Sequence, residues 1–211
     1  DEKGDVIWAD QLMALFLPEI ISPGDEILYD VKCSKSLEEM IVRYGGKPVM
    51  WKTGHSLVKQ KMFELNCKFG GEMSGHIFFA DDYFGFDDGI YVAARLLQTL
   101  SRSSKKLSEL KDELPRYYST PEMRLEANSD EDKFKISKIA VEYFTKNYEC
   151  STVDGVRINF DDGWGLVRAS NTQPVIVCRF EATSPEKMDE YKNLVISKLN
   201  EIGDLRSDVG H

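Results

Sequence analysis

The sequence predicts two successive domains: an α/β domain with a mixed, largely parallel sheet, then a smaller α+β domain with an antiparallel sheet. Three observations carry this. The first hundred residues alternate short apolar runs with helix-length segments, the rhythm of βαβ units. A polar stretch, Ser101-Arg102-Ser103-Ser104-Lys105-Lys106, marks the approach to a boundary. Beyond it, three strand-like runs crowd around the hairpin turn Asp161-Asp162-Gly163, which favours antiparallel pairing. The expected domains are residues 1–112 and 113–211.

The first elements follow in order. Asp1-Glu2-Lys3-Gly4-Asp5 reads as a hairpin turn before the strand-like Val6-Ile7-Trp8, with no strand ahead of it, so a natural N-terminus further upstream is expected. A helix over 9–21 holds the apolar stretch Leu12 to Ile21. The near-continuous apolar run over 26–31 suits a buried strand. Ser36-Leu37-Glu38-Glu39 has the form of a capping box and opens a helix that stops at Gly45-Gly46. A strand over 48–51, a helix over 56–66, strands over 68–71 and 76–79, and a long helix over 88–100 complete the α/β pattern.

A short helix over 107–114 ends at Pro115. Ser129 caps a helix running to about Lys146. Strands are expected over 152–160, 165–169 and 175–182. Ser184-Pro185-Glu186 places an N-cap before a proline at the first helical position, and the last helix runs to about Ile202.

Composition narrows the functional classes. With 42% hydrophobic and 30% charged residues, the chain can bury one large core or two ordinary ones. The net charge of −9 argues against nucleic acid or an anionic membrane as partner, so any bound phosphate must be held by a local cluster against the overall field. No apolar run approaches the roughly 18 residues of a membrane span, and no secretory signal opens the chain. Cys33, Cys67, Cys150 and Cys178 lie far apart without ligand spacing, as expected of reduced core thiols in a cytoplasmic protein.

Two loops could carry chemistry. Arg168-Ala169-Ser170-Asn171-Thr172-Gln173-Pro174 joins two strands and offers a guanidinium, two hydroxyls, two amides and several backbone N–H groups, a donor set suited to a phosphate. Gly70-Gly71-Glu72-Met73-Ser74-Gly75-His76 sets a carboxylate, a hydroxyl and an imidazole among glycines that allow tight turns and close ligand approach. A carboxylate can accept from two vicinal sugar hydroxyls, and His76 is a candidate general acid or base. Each loop, taken alone, also suits an ordinary solvated turn. Lys32 ends a strand and His55 opens a helix, so both could share the Glu72 rim at the carboxyl end of the sheet. His55, Glu72 and His76 could be imagined around zinc, but their spacing is not a ligand pattern, and no metal site is expected in this chain. Asp81-Asp82 and Asp87-Asp88 read as a turn and a helix N-terminus.

Taken together, these segments resemble the α-D-phosphohexomutases, in the phosphomannomutase/phosphoglucomutase branch. Gly71-Glu72-Met73-Ser74-Gly75-His76 resembles the sugar-specificity loop of the family's domain 3, and Phe84-Gly85-Phe86-Asp87-Asp88-Gly89 is similar to the family's segment just after that loop. Asp30-Val31-Lys32-Cys33-Ser34 and Thr53-Gly54-His55-Ser56 look like two more domain 3 segments, and the Arg168 loop resembles the phosphate-binding loop of domain 4. The resemblance spans nearly the whole chain. It implies the C-terminal half of an enzyme that interconverts hexose 1- and 6-phosphates through a phosphoserine and a 1,6-bisphosphate. By position, Arg168, Ser170, Asn171 and Thr172 would bind the phosphate that is not reacting. Glu72 and Ser74 would take the 3- and 4-hydroxyl region, with Lys32, His55 and His76 completing the site. The family's serine loop and its Mg2+-binding aspartate loop would lie upstream of residue 1, leaving this stretch to bind glucose or mannose phosphates without turnover, beside the missing N-terminal domains. A stand-alone sugar-phosphate-binding module and a structural or metal-binding protein are the alternatives.

Overall fold

The computed structural model describes residues 1–207, so the last positions of the expected second domain lie outside the described residues. The chain divides into two compact units, Asp1–Arg116 and Tyr117–His211.

In the first unit the elements are α1 (Ala9–Ile20), β1 (Glu26–Asp30), α2 (Lys35–Arg43), β2 (Lys47–Trp51), α3 (His55–Leu65), β3 (Phe69–Gly71), β4 (Ile77–Phe79), α4 (Gly89–Ser101) and α5 (Leu107–Asp112). The sheet order is β2-β1-β3-β4. β1 runs parallel to both neighbours, with Leu28 opposite Val49 on β2 and Gly70 on β3, while β4 returns antiparallel along β3. The chain steps from β1 to β2 on one side and then back past β1 to β3, so right-handed crossovers send α2 and α3 to opposite faces. Side-chain alternation matches this arrangement. Ile27 and Tyr29 join the core under α1 and α2, with Phe16, Leu37 and Ile41, whereas Leu28 and Phe78 pack with Val58 and Met62 of α3.

Three local expectations change. Ser36 is not a cap: Ser34 is, its hydroxyl accepting from the Ser36 N–H, because the chain is still extended at residue 34 (φ −62°, ψ 148°) where β1 hands over to α2. The opening turn closes on itself, with Asp1 Oδ1 accepting from the Lys3 and Asp5 N–H groups, and Val6–Trp8 joins no strand. Gly70 and Gly71 answer first to packing within the sheet. A Cβ at Gly70 would sit 2.9 Å from Leu28 Cβ, and one at Gly71 would sit 2.7 Å from the His76 carbonyl.

The second unit contains β5 (Tyr118–Ser119), β6 (Met123–Glu126), α6 (Asp130–Asn147), β7 (Cys150–Ser151), β8 (Val156–Phe160), β9 (Gly163–Ala169), β10 (Val175–Ala182), α7 (Pro185–Ile202) and β11 (Arg206–Ser207). Its sheet is antiparallel throughout, in the order β11-β6-β10-β9-β8-β7, with β5 also pairing β10. The single strand expected over 152–160 is a hairpin instead. Gly155 turns the chain at φ +72°, and Cys150 returns opposite Ile158. One sheet face (Val156, Ile158, Val167, Ile176, Phe180) packs on Ile136, Ala140 and Phe144 of α6 and Val195 and Leu199 of α7. The other face carries buried polar groups: the Arg157 guanidinium lies 3.9 Å over the Trp164 ring, and Trp164 Nε1 donates to Glu181.

All four cysteines are free thiols. Among the described residues, no helix is long and apolar enough to cross a membrane.

Candidate functional site

In the first unit the candidate side chains gather where β1 and β3 end and α3 begins, the edge at which open α/β sheets collect ligands. Asp30, the last residue of β1, is wholly buried and ties that edge together. Its Oδ1 accepts from the Met73 N–H and from Cys33 Sγ, both at 3.1 Å, and its Oδ2 accepts from Thr53 Oγ1 at 3.0 Å. Lys32 Nζ lies 4.0 Å from the same Oδ2. One carboxylate thus holds the segment after β1, the turn before α3 and the β3–β4 turn. Its role was hidden in the sequence, although a carboxylate closing an apolar strand was the available signal.

Glu72 sits in the β3–β4 turn at 1% exposure. Its Oε1 accepts from the Gly54 N–H at 2.7 Å. Gly54 is the N-cap of α3 at φ +135°, in the left-handed region that glycine tolerates, so Glu72 satisfies a helix-end donor that lacks a side-chain cap. Oε2 is buried without a hydrogen-bond partner, the kind of orphan that calls for a functional explanation. Burial raises the Glu72 pKa, and the Asp30 charge adds to the rise; the Gly54 hydrogen bond, His76 and Lys32 oppose it.

The same turn presents the other candidates. Gly75, at φ +108°, lets the chain reverse, so the Glu72 N–H reaches the His76 carbonyl at 2.8 Å. Ser74 is exposed beside the apex of the turn. The His76 ring lies 5.6 Å, centroid to centroid, from His55 at the start of α3, and His76 Nδ1 meets Asp87 Oδ2. Lys32, His55, Glu72, Ser74 and His76 are all on the three segments that Asp30 ties together. Of the acidic pairs, Asp88 caps α4, accepting from the Ile90 and Tyr91 N–H groups, and Asp81 pairs with Arg95. Asp87, expected beside it as a helix-terminus residue, turns to His76 instead. Among the described residues, no group of three or more His, Cys, Asp or Glu side chains is placed to hold a metal ion.

In the second unit the Arg168 loop joins β9 to β10. Arg168 is 6% exposed, and its Nε donates to Asp154 Oδ2 at 2.9 Å, which fixes the guanidinium plane and leaves the outer nitrogens without another hydrogen bond among the described residues. The Ser170 N–H closes the loop on the Val175 carbonyl, and Ser170 Oγ accepts from the Thr172 and Gln173 N–H groups at 3.3 Å. Two of the loop's backbone donors are therefore engaged inside the loop. Asn171 and Thr172 stand exposed at the tip. The brace beneath them was not foreseen. Lys133 of α6, at 2% exposure, donates to the Ser170 and Gln173 carbonyls, both at 2.9 Å, and to Asp130 Oδ1. The only sequence signal for it was a lysine on the inward side of a helix.

Comparison with known proteins agrees with this organisation. Residues 8–118 match the family model of the phosphoglucomutase/phosphomannomutase alpha/beta/alpha domain III, and residues 122–198 match that of the phosphoglucomutase/phosphomannomutase C-terminal domain. The phosphomannomutase/phosphoglucomutase of Pseudomonas aeruginosa is 44% identical over 201 residues, covering 94% of this chain and 43% of that protein. A solved phosphoglucomutase/phosphomannomutase family protein from Burkholderia thailandensis superposes with a TM-score of 0.86 at 40% identity, covering 97% of this chain and 44% of that one. The N-acetylphosphoglucosamine mutase of Aspergillus fumigatus, solved with GlcNAc-6P and magnesium, shares the fold at a TM-score of 0.69 and 14% identity, over 96% of this chain and 46% of that one. The chain thus spans a little under half the length of these relatives. With both of its units matched in order, it belongs to the phosphoglucomutase/phosphomannomutase family.

Proposed function

We propose that this chain supplies the substrate-holding part of a phosphohexomutase that interconverts hexose 1-phosphate and hexose 6-phosphate by way of a phosphoserine and a hexose 1,6-bisphosphate. In this reading Glu72 and Ser74 take ring hydroxyls, with Lys32, His55 and His76 around them, while Arg168, Ser170, Asn171 and Thr172 take the phosphate that is not reacting. His76 is the candidate proton carrier. The observation that carries the reading is Glu72: a buried carboxylate with one oxygen unpartnered, held at the ligand-collecting edge of the sheet. A hydroxyl donor would satisfy that oxygen. The phosphoseryl group and Mg2+ would come from the part of the whole enzyme that the relatives have beyond the matched stretch. The described residues do not fit Mg2+, lacking any cluster of three candidate ligands, and no step here runs through the metal. The setting would be the cytoplasm.

The test is a calorimetric titration of this chain with glucose 1-phosphate, with inorganic phosphate as reference. Affinity at least several-fold above that for phosphate is expected, because the ring hydroxyls add contacts. Equal affinity would contradict the role given to the Glu72 turn. Arg168→Ala should weaken binding of both ligands roughly 10- to 100-fold, the worth of a charge-assisted hydrogen bond. Unchanged affinity in a folded variant would overturn the phosphate assignment.

A further inference from the structure

We propose that Asp87 is a positioning residue for His76, holding its imidazole in the Nδ1–H tautomer so that Nε2 is the nitrogen that meets the sugar. The inference rests on the reading of His76 given above and extends it to a residue outside the sugar loop. A carboxylate offers only acceptors, so the hydrogen shared between His76 Nδ1 and Asp87 Oδ2 belongs to the ring nitrogen. In the neutral ring Nε2 then carries the lone pair. A carboxylate that selects the tautomer and orientation of a functional histidine is a recurrent device.

Backbone, not side-chain chance, brings the two groups together. His76 is anchored through its carbonyl to the Glu72 N–H, immediately before β4. Asp87 is anchored by an antiparallel bridge to Phe78 of the same strand. The next residue, Asp88, is committed elsewhere, capping α4 with Oδ1 and accepting from Tyr83 Oη with Oδ2. Adjacent aspartates therefore have separate tasks, and only Asp87 is turned towards the site. The titratable groups that interact with His76 are Glu72 in its own turn, Asp87 and the His55 ring at the start of α3; Lys32 acts on the same Glu72, and Lys59 of α3 holds its Nζ 4.7 Å over the Phe86 ring.

Stability does not explain the pair. Both side chains are part-exposed, at 44% and 30%, and a solvent-screened ion pair contributes little to folding. The chemical consequence is larger. When Nε2 takes a hydroxyl proton, the O–H bond breaks, an N–H bond forms, and the resulting imidazolium already faces a carboxylate. The Nδ1 hydrogen stays where it is, and the same Nε2 proton is available for return to the sugar oxygen.

Long-range proton–nitrogen NMR of the nitrogen-15-labelled chain, at a pH where the rings are neutral, reads the tautomer directly, with His55→Gln and His76→Gln assigning the signals. His76 is expected as Nδ1–H in the wild type. In Asp87→Ala the Nε2–H tautomer should dominate while the melting temperature moves by less than roughly 3 °C, and Asp87→Glu should restore Nδ1–H. A wild-type His76 in the Nε2–H form, or one whose tautomer ignores Asp87→Ala, overturns the proposal. Adding glucose 1-phosphate should then shift Nε2 far more than Nδ1. If the tautomer obeys Asp87 but Nε2 does not respond to the sugar, the sugar contact falls and the tautomer control stands.

Discussion

Burial raises the pKa of Glu72 because the charge loses more hydration than the Gly54 N–H and the neighbouring His76 and Lys32 replace. The folded protein therefore holds this proton to a higher pH than the unfolded chain does. The group's contribution to stability is most favourable in acid and declines as pH rises from the ordinary glutamate range through the raised folded value, so at neutral pH it is a cost. Glu72→Gln keeps an acceptor for the Gly54 N–H and removes the charge. It should stabilise the protein at pH 7, with the advantage lost in acid, where the native carboxyl is already protonated. Melting curves at pH 7 and in acid test this, and a variant that melts lower at pH 7 would contradict it. The same variant should bind glucose 1-phosphate more weakly, since a site tuned for function is often not the most stable one.

The proposed phosphate loop depends on α6 as much as on its own residues. Lys133→Met keeps the apolar stem and removes the ammonium, leaving the Ser170 and Gln173 carbonyls without their shared donor. About 2 kcal/mol of stability should be lost, and phosphate affinity should fall although Lys133 is too buried to reach a ligand. A urea midpoint and a phosphate titration measure both, and intact affinity would show that the loop holds its shape unaided. This brace also marks where the sequence stopped being readable. The helices were legible because caps such as Ser129, Ser184 and Asp88 and the helical period are local signals. β5, β6 and β11 were not legible: they are two to four residues long and exist because a neighbouring strand pairs with them. Likewise the site loops stood out by composition, but their supports act at a distance. Asp30 reaches Met73 across 43 positions and Lys133 reaches Ser170 across 37, separations on which local pattern is silent. Asp87 is nearer to His76 in sequence, but helix-end chemistry explained it equally well until the structure showed Asp88 alone as the cap.

At the scale of the molecule, the hydrophobic clusters keep to their own units. Those of the first unit end at Leu114, and that of the second begins at Met123. Unfolding should therefore not be a single two-state event. Scanning calorimetry should give a calorimetric enthalpy above the van't Hoff value, and a ratio of one would mean that the two units melt as one. Each unit also prepares its own candidate residues before any ligand arrives. In the first, Asp30 has already immobilised three separate segments around the proposed sugar-binding residues. Ordering such groups on binding would cost about 0.5–1.5 kcal/mol for each flexible side chain. That conformational entropy is surrendered once, when the chain folds, and an arriving sugar gives up little beyond its own freedom to tumble.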